Sequence, residues 1–202
     1  MSIEQSDTGF EVYQLKVTLE RVRPPVWRRL LVPGTLTLAE LHQALQAAMG
    51  WASTQFDYHL HQFDIDRVSY GNPEHDDGWG DIVSERDVTL EEVLTIGDRF
   101  GYWYDFGDDW HHRVVVEKVL TEGIDPAVVV CTGARRACPP EDCGGVWGYA
   151  DLLAVLADVE HPSHDEMAEW AGEVDPEAFD REAVNKDLVA LFSGSPAPSL
   201  GR

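Results

Sequence analysis

The stretch Arg99-Phe100-Gly101-Tyr102-Trp103-Tyr104-Asp105-Phe106-Gly107-Asp108-Asp109-Trp110-His111-His112-Arg113-Val114-Val115-Val116-Glu117 decides how this chain is read. Two runs rich in aromatic and β-branched residues flank a Gly107-Asp108-Asp109 turn. Large rings and branched side chains pack well on a pleated surface, while Gly and Asp tolerate the backbone conformations that a tight reversal needs. The pattern predicts a β-hairpin.

Toward the N-terminus, Phe10 to Leu19 reads as a strand, Pro24-Pro25 interrupts it, and Val26 to Val32 resumes as a second strand. Thr37 and Glu40 have capping-box spacing. Leu38, Leu41, Leu45, Ala48 and Met49 then form a helical apolar stripe that stops at Gly50. Phe56 to Phe63 alternates with period two, with Phe56, Tyr58 and Leu60 on one face and Asp57, His59 and His61 on the other. Tyr70 to Asp81 reads as a polar loop, and Thr89 with Glu92 predicts a second capped, short helix over Leu90 to Leu94.

Toward the C-terminus, Val128-Val129-Val130 reads as a short strand leading into the loop Ala137-Cys138-Pro139-Pro140-Glu141-Asp142-Cys143-Gly144-Gly145. Two prolines stiffen that loop and a glycine pair turns it, while thiols and carboxylates stand between them. Helices are expected over Tyr149 to Val159 and His164 to Ala171. A final one, opened by Asp175-Pro176 as cap and first turn, carries Val184, Leu188 and Leu191 and ends before Gly194. Strands with one embedded helix come first and helices fill the C-terminal third, which favours α+β over an alternating fold. The expectation is one domain over residues 10–192, with flexible tails at 1–9 and 193–202.

Composition bounds the function. With 44% hydrophobic residues and seven Trp, the chain can build a core. No apolar run approaches the ~18 residues of a transmembrane helix, and Met1 to Asp7 has neither the basic nor the apolar part of a secretory leader. Residence in the cytoplasm is the expectation, and three cysteines in such a chain argue against a disulfide framework. The net charge of −22 opposes the counterion release on which direct nucleic-acid binding depends. It suits a basic protein or peptide partner, a cation, or mimicry of nucleic acid toward a DNA-binding protein.

Four blocks carry a resemblance. They are Arg23-Pro24-Pro25-Val26-Trp27-Arg28-Arg29, Tyr104-Asp105-Phe106-Gly107-Asp108-Asp109-Trp110, the Cys138 to Gly145 loop with Gly148-Tyr149, and Asp175-Pro176-Glu177-Ala178-Phe179-Asp180. Through them the chain resembles the plasmid pRiA4b ORF-3-like family, also met as passenger proteins of insertion sequences under a resolvase-type label. The likeness runs from about Tyr13 to Leu191. It implies a single α+β domain with a curved, mostly antiparallel sheet, and it implies no established activity. A serine recombinase needs a nucleophilic serine among arginines and a basic DNA-binding region, and the sequence offers neither.

Candidate sites fall into three groups. Cys138 and Cys143, with His164 beyond them, are a thiolate and imidazole set suited to zinc, although their spacing is unlike the short paired cysteines of structural zinc sites. His59 and His61, two apart on a strand, together with the hairpin carboxylates Asp105, Asp108 and Asp109, form a nitrogen and oxygen set suited to a hydrolytic metal. Trp27, Tyr104 and Trp110, with Asp105, Asp108, Asp109, Glu141 and Asp142, would line an acidic aromatic groove for a basic peptide. The plainer readings are rings in the core, turn geometry at the aspartates and small buried thiols. The leading expectation is a non-enzymatic binding or accessory protein. A metal-dependent hydrolase and an acidic DNA mimic are the alternatives.

Overall fold

The hairpin read from the sequence forms the middle of one eight-stranded sheet. The structure is a computed structural model that describes residues 10–51, 59–75, 82–123, 125, 127, 129–172 and 174–193. In chain order it contains β1 (Val12–Leu19), β2 (Trp27–Pro33), α1 (Leu38–Met49), β3 (His61–Ile65), β4 (Val68–Gly71), β5 (Ile82–Ser84), α2 (Leu90–Val93), β6 (Arg99–Tyr104), β7 (Trp110–Leu120), β8 (Val130–Arg135), α3 (Gly145–Ala157), α4 (His164–Ala171) and α5 (Arg181–Phe192). The strands run β5-β4-β3-β6-β7-β1-β2-β8 across the sheet. Every pairing is antiparallel except β4 with β5 at one edge. This is the α+β class expected from the segregation of strands and helices, with helices at the C-terminal end.

Alternation along the strands sorts the side chains. Leu15, Val17 and Leu19 of β1, Arg28, Leu30 and Val32 of β2, Phe63 and Ile65 of β3, Phe100, Tyr102 and Tyr104 of β6, and His112, Val114 and Val116 of β7 are all buried. They meet the apolar stripe Leu38, Leu41, Leu45 and Ala48 of α1. The intervening residues, including Lys16, Trp27, Arg29, Trp103 and Arg113, stand half-buried or exposed on the opposite face. Two capping boxes hold the starts of α1 and α2 side by side. Thr37 bonds with Glu40 and Thr89 with Glu92, and the two threonines share an antiparallel bridge.

Arg28 fastens the layers together. Its side chain is buried, and its Nε donates to the Ala48 carbonyl at 2.7 Å, near the C-terminal end of α1. Its Nη1 donates to the carbonyls of Trp27 at 3.0 Å and Arg136 at 2.9 Å, and more weakly to that of Arg135 at 3.3 Å. The guanidinium lies 4.3 Å from the centre of the Phe179 ring. Burial lowers its pKa from the usual arginine range, yet a cation so well supplied with carbonyl acceptors keeps its charge. Arg136, also buried, repeats the device, donating to Pro24 O and Pro176 O and pairing with Glu177. At the β8 edge Asn185 of α5 stands in for a further strand. Its Oδ1 accepts from Cys131 N–H at 2.7 Å and its Nδ2 donates to Cys131 O at 3.1 Å.

Several boundaries differ from the sequence reading. The strand expected over Phe56 to Phe63 begins at His61 and continues to Ile65, and Phe56 and Tyr58 lie outside the described residues. His61 shares the covered face with Phe63 and Ile65, because pairing with β6 turns that face toward α1. Tyr70 and Gly71, read as loop, pair with β3 and β5 in β4; the rest of that loop from 76 to 81 lies outside the described residues. The strand expected at Val128 to Val130 runs from Val130 to Arg135, and Val128 too is outside. The final helix is capped by Asp180, whose Oδ1 accepts from Glu182 and Ala183 N–H. Asp175 makes a separate turn by accepting from Glu177 N–H. The helix expected from Tyr149 starts earlier, at Gly145. Residues 1–9 and 194–202 of the expected tails lie outside the described residues. Among the described residues, no helix is long and apolar enough to cross a membrane.

Two stability measurements test this arrangement. Arg28→Met leaves the Ala48 and Arg136 carbonyls buried without a donor, and is expected to cost about 3 kcal/mol in urea unfolding. An unchanged midpoint would show that Arg28 is no fastener. His112 is buried with Nδ1 3.2 Å from Tyr102 O, and burial pulls its pKa from 6.5 down to about 3. The folded chain therefore keeps it neutral while the unfolded chain takes up a proton, so stability is lost as pH falls from about 6.5 toward about 3. His112→Phe removes that component. Between pH 7 and pH 5 the unsubstituted chain should lose about 2 kcal/mol more than the variant, and equal losses would contradict the assignment.

Candidate functional site

The hairpin turn, the start of β3 and the Pro-Pro loop meet at one end of the sheet. Asp105 leaves β6 in the left-handed region, with φ 51°, and its N–H donates to Leu60 O at 2.8 Å. Its Oδ1 accepts from Gly107 N–H at 2.9 Å, so the turn holds the carboxylate in place. Oδ2 then lies 3.2 Å from His59 Nδ1. Across the imidazole, Nε2 is 3.9 Å from Asp142 Oδ1. His59 thus stands between an inner carboxylate, Asp105, whose side chain is 12% exposed, and an outer one, Asp142, at 74%.

The Pro-Pro loop is brought here by two donors from the aromatic core. Trp51 Nε1 donates to Pro139 O at 2.9 Å, and Tyr104 OH donates to Glu141 Oε1 at 2.9 Å. The two rings lie 5.0 Å apart, and His59 approaches the Tyr104 ring edge-on at 5.6 Å. Glycines allow the loop to close against the hairpin. A Cβ on Gly145, at φ 67°, would lie 2.1 Å from Asp108 O, and one on Gly148 would lie 1.9 Å from Cys143 O. Of the glycine pair noted in the sequence, Gly145 is therefore a close-packing requirement, while Gly144 supplies a left-handed turn at φ 84°.

A polar seam continues inward along the covered face. His61 Nε2 is 2.8 Å from Glu85 Oε2, and the His61 ring stacks on His42 at 3.5 Å with an interplanar angle of 3°. His42 Nδ1 lies 2.8 Å from Tyr102 OH, which also accepts from Gln46 Nε2 at 2.7 Å. His42, Gln46 and Glu85 are not among the residues singled out from the sequence. His42 and Gln46 did carry a signal, as a polar pair four apart beside the apolar stripe of α1. Glu85, a buried carboxylate after a three-residue strand, carried none.

The predicted site residues are distributed as follows. His59, Tyr104, Asp105, Glu141 and Asp142 come together. His61 is nearby but engages Glu85 and His42. Asp109, at the end of the turn, pairs with His111 at 2.8 Å and Arg21 at 3.3 Å. Asp108 packs its backbone against Gly145, and its Oδ2 is buried with no hydrogen-bond partner among the described residues. Trp110 is a core ring 5.9 Å from Trp51. Trp27 lies on the opposite face of the sheet, beside Lys16 and Arg29. Cys138 and Cys143 are half-buried thiols whose pKa values burial pushes up to about 12, so both carry their protons at neutral pH. His164 sits at the start of α4, 3.2 Å from Asp165. Among the described residues, the group of metal-capable side chains that converges is His59, Asp105 and Asp142.

Comparison with known proteins agrees on kinship. The family model described as plasmid pRiA4b ORF-3-like protein matches residues 11–186. An uncharacterised protein, y4hQ of Sinorhizobium fredii (strain NBRC 101917 / NGR234), is 42% identical over 179 residues, covering 86% of each chain. A crystal structure of a protein of unknown function, MM3350 of Methanosarcina mazei Go1, is similar with a TM-score of 0.78 and 39% identity, over 87% of this chain and 97% of that one. The chain belongs to the plasmid pRiA4b ORF-3-like family.

Proposed function

We propose that this member of the plasmid pRiA4b ORF-3-like family is a binding or accessory protein that takes up a basic group of a protein or peptide where the hairpin meets the Pro-Pro loop. The observation that supports the reading is the convergence of Asp105, Glu141 and Asp142 around His59 and Tyr104. Asp142 presents most of its side chain to solvent, and Asp109 stands half-exposed at the end of the same turn. A lysine or arginine presented by a partner would find Asp105 fixed by the turn and Glu141 fixed by the Tyr104 hydroxyl, with Asp142 free to meet it from the rim. The mobile-element setting that the resemblance implies is compatible with an accessory role of this kind.

The test uses an oligo-arginine peptide as probe, with EDTA present throughout so that no metal ion takes part. Isothermal titration is run on the full chain, on Glu141→Gln/Asp142→Asn, and on Glu166→Gln/Glu169→Gln, which removes the same charge from α4. The joint variant is expected to lose about tenfold in affinity and the α4 variant little, because only the former removes preorganised partners. Equal losses would mean that the peptide senses net charge alone, and the reading would fall.

A further inference from the structure

We infer that His59, Asp105 and Asp142 bind one divalent transition-metal ion of the zinc or manganese kind. One donor atom from each of the three residues lies within 4.8 Å of the others. Donors around one ion sit at about 2.0–2.2 Å from it, so a modest inward shift closes the set. Asp105 faces Nδ1 and Asp142 faces Nε2, so one ion on a single ring nitrogen requires Asp142 to swing round the ring edge, which its 74% exposed side chain allows. Asp105 is held by the turn and supplies the fixed end.

The donor chemistry narrows the ion. One imidazole nitrogen with two carboxylate oxygens suits a borderline first-row metal. Calcium and magnesium favour all-oxygen shells, and the thiols that would select softer ions are outside the group. Three protein ligands leave the ion at least one open position, as in metal centres that receive a further ligand.

The inference rests on the reading that this joint is where the molecule binds, and it names what fills the inner end. Asp142 serves both, so a bound ion and a basic side chain would compete for it. The two are tested apart. The peptide experiment excludes metal, and the metal experiment uses Zn²⁺ or Mn²⁺ alone on chain first stripped with EDTA. Equilibrium dialysis with elemental analysis should find one ion per chain. His59→Ala and Asp142→Asn should each weaken binding about tenfold or more, and Cys138→Ser/Cys143→Ser should leave it unchanged. Asp142→Asn alters an exposed side chain, so its result does not depend on whether His59→Ala folds; thermal melts of each variant by circular dichroism confirm the fold. Absence of saturable binding, retention of full affinity in Asp142→Asn, or loss in the cysteine variant would each overturn the assignment.

Discussion

A buried guanidinium ties the parts of this molecule to one another. Arg28 is on β2, yet its donors go to the end of α1 and to Arg136 just past β8, and its plane faces Phe179 ahead of α5. A hydrophobic residue there would fill the volume and leave those carbonyls without donors, each a cost of about 1–3 kcal/mol. Because these are main-chain acceptors, the contact sets where α1 ends and where the Pro-Pro loop begins. That is the constraint from which the site follows. Trp51, just beyond α1, spans the same two parts that Arg28 brackets, donating to Pro139 O.

The location of the site follows from an asymmetry of the sheet. One face is filled by α1 and its apolar stripe, but the aromatic residues under that helix end in hydroxyl, imidazole and indole groups that need partners. Tyr102 finds its partners His42 and Gln46 on α1, His61 finds Glu85, and Tyr104 and Trp51 find theirs in the Pro-Pro loop. The result is a polar seam inside an apolar layer, where hydrogen bonds are strengthened and errors in pairing are costly. Its outer end is His59 between two carboxylates. The same aromatic rings that build the core therefore orient the loop that carries Glu141 and Asp142.

Much of the fold was legible because short-range rules settled it. The two capping boxes and Gly50 mark their helices by local hydrogen bonding and a left-handed cap, and the hairpin by composition alone. What escaped was decided at long range. β4 and β5 are four and three residues long and owe their existence to pairing, β4 on β3 and β5 on β4, so no run of their own announces them. Asp175 and Asp180 are both plausible caps, and only the second has helical N–H groups above it, since Asp175 spends its carboxylate on a turn whose Pro176 carbonyl serves Arg136. For the site, the Asp105 and Glu141-Asp142 blocks were visible as rigid, polar loops. Their meeting with His59 was not, because it depends on Trp51 and Tyr104 donating across 88 and 37 residues of sequence.

Charge explains why such a site would draw cations in particular. The chain has 37 acidic against 15 basic residues, and several of the basic ones are already engaged. Arg28 and Arg136 are consumed by carbonyls in the interior, and Arg29 is locked to Glu117 on the opposite face, which lowers the Glu117 pKa. Near the joint the positive charge is Arg21, at 3.3 Å from Asp109. Asp105 and Asp142 are left with His59 between them. Low-dielectric walls on one side and an excess of negative charge on the whole surface concentrate the field at such a point, raising the local population of any cation. Over the sheet, part of the acidity read from the sequence is paired with bound arginine, and where the hairpin meets the Pro-Pro loop Asp105 and Asp142 face an imidazole instead.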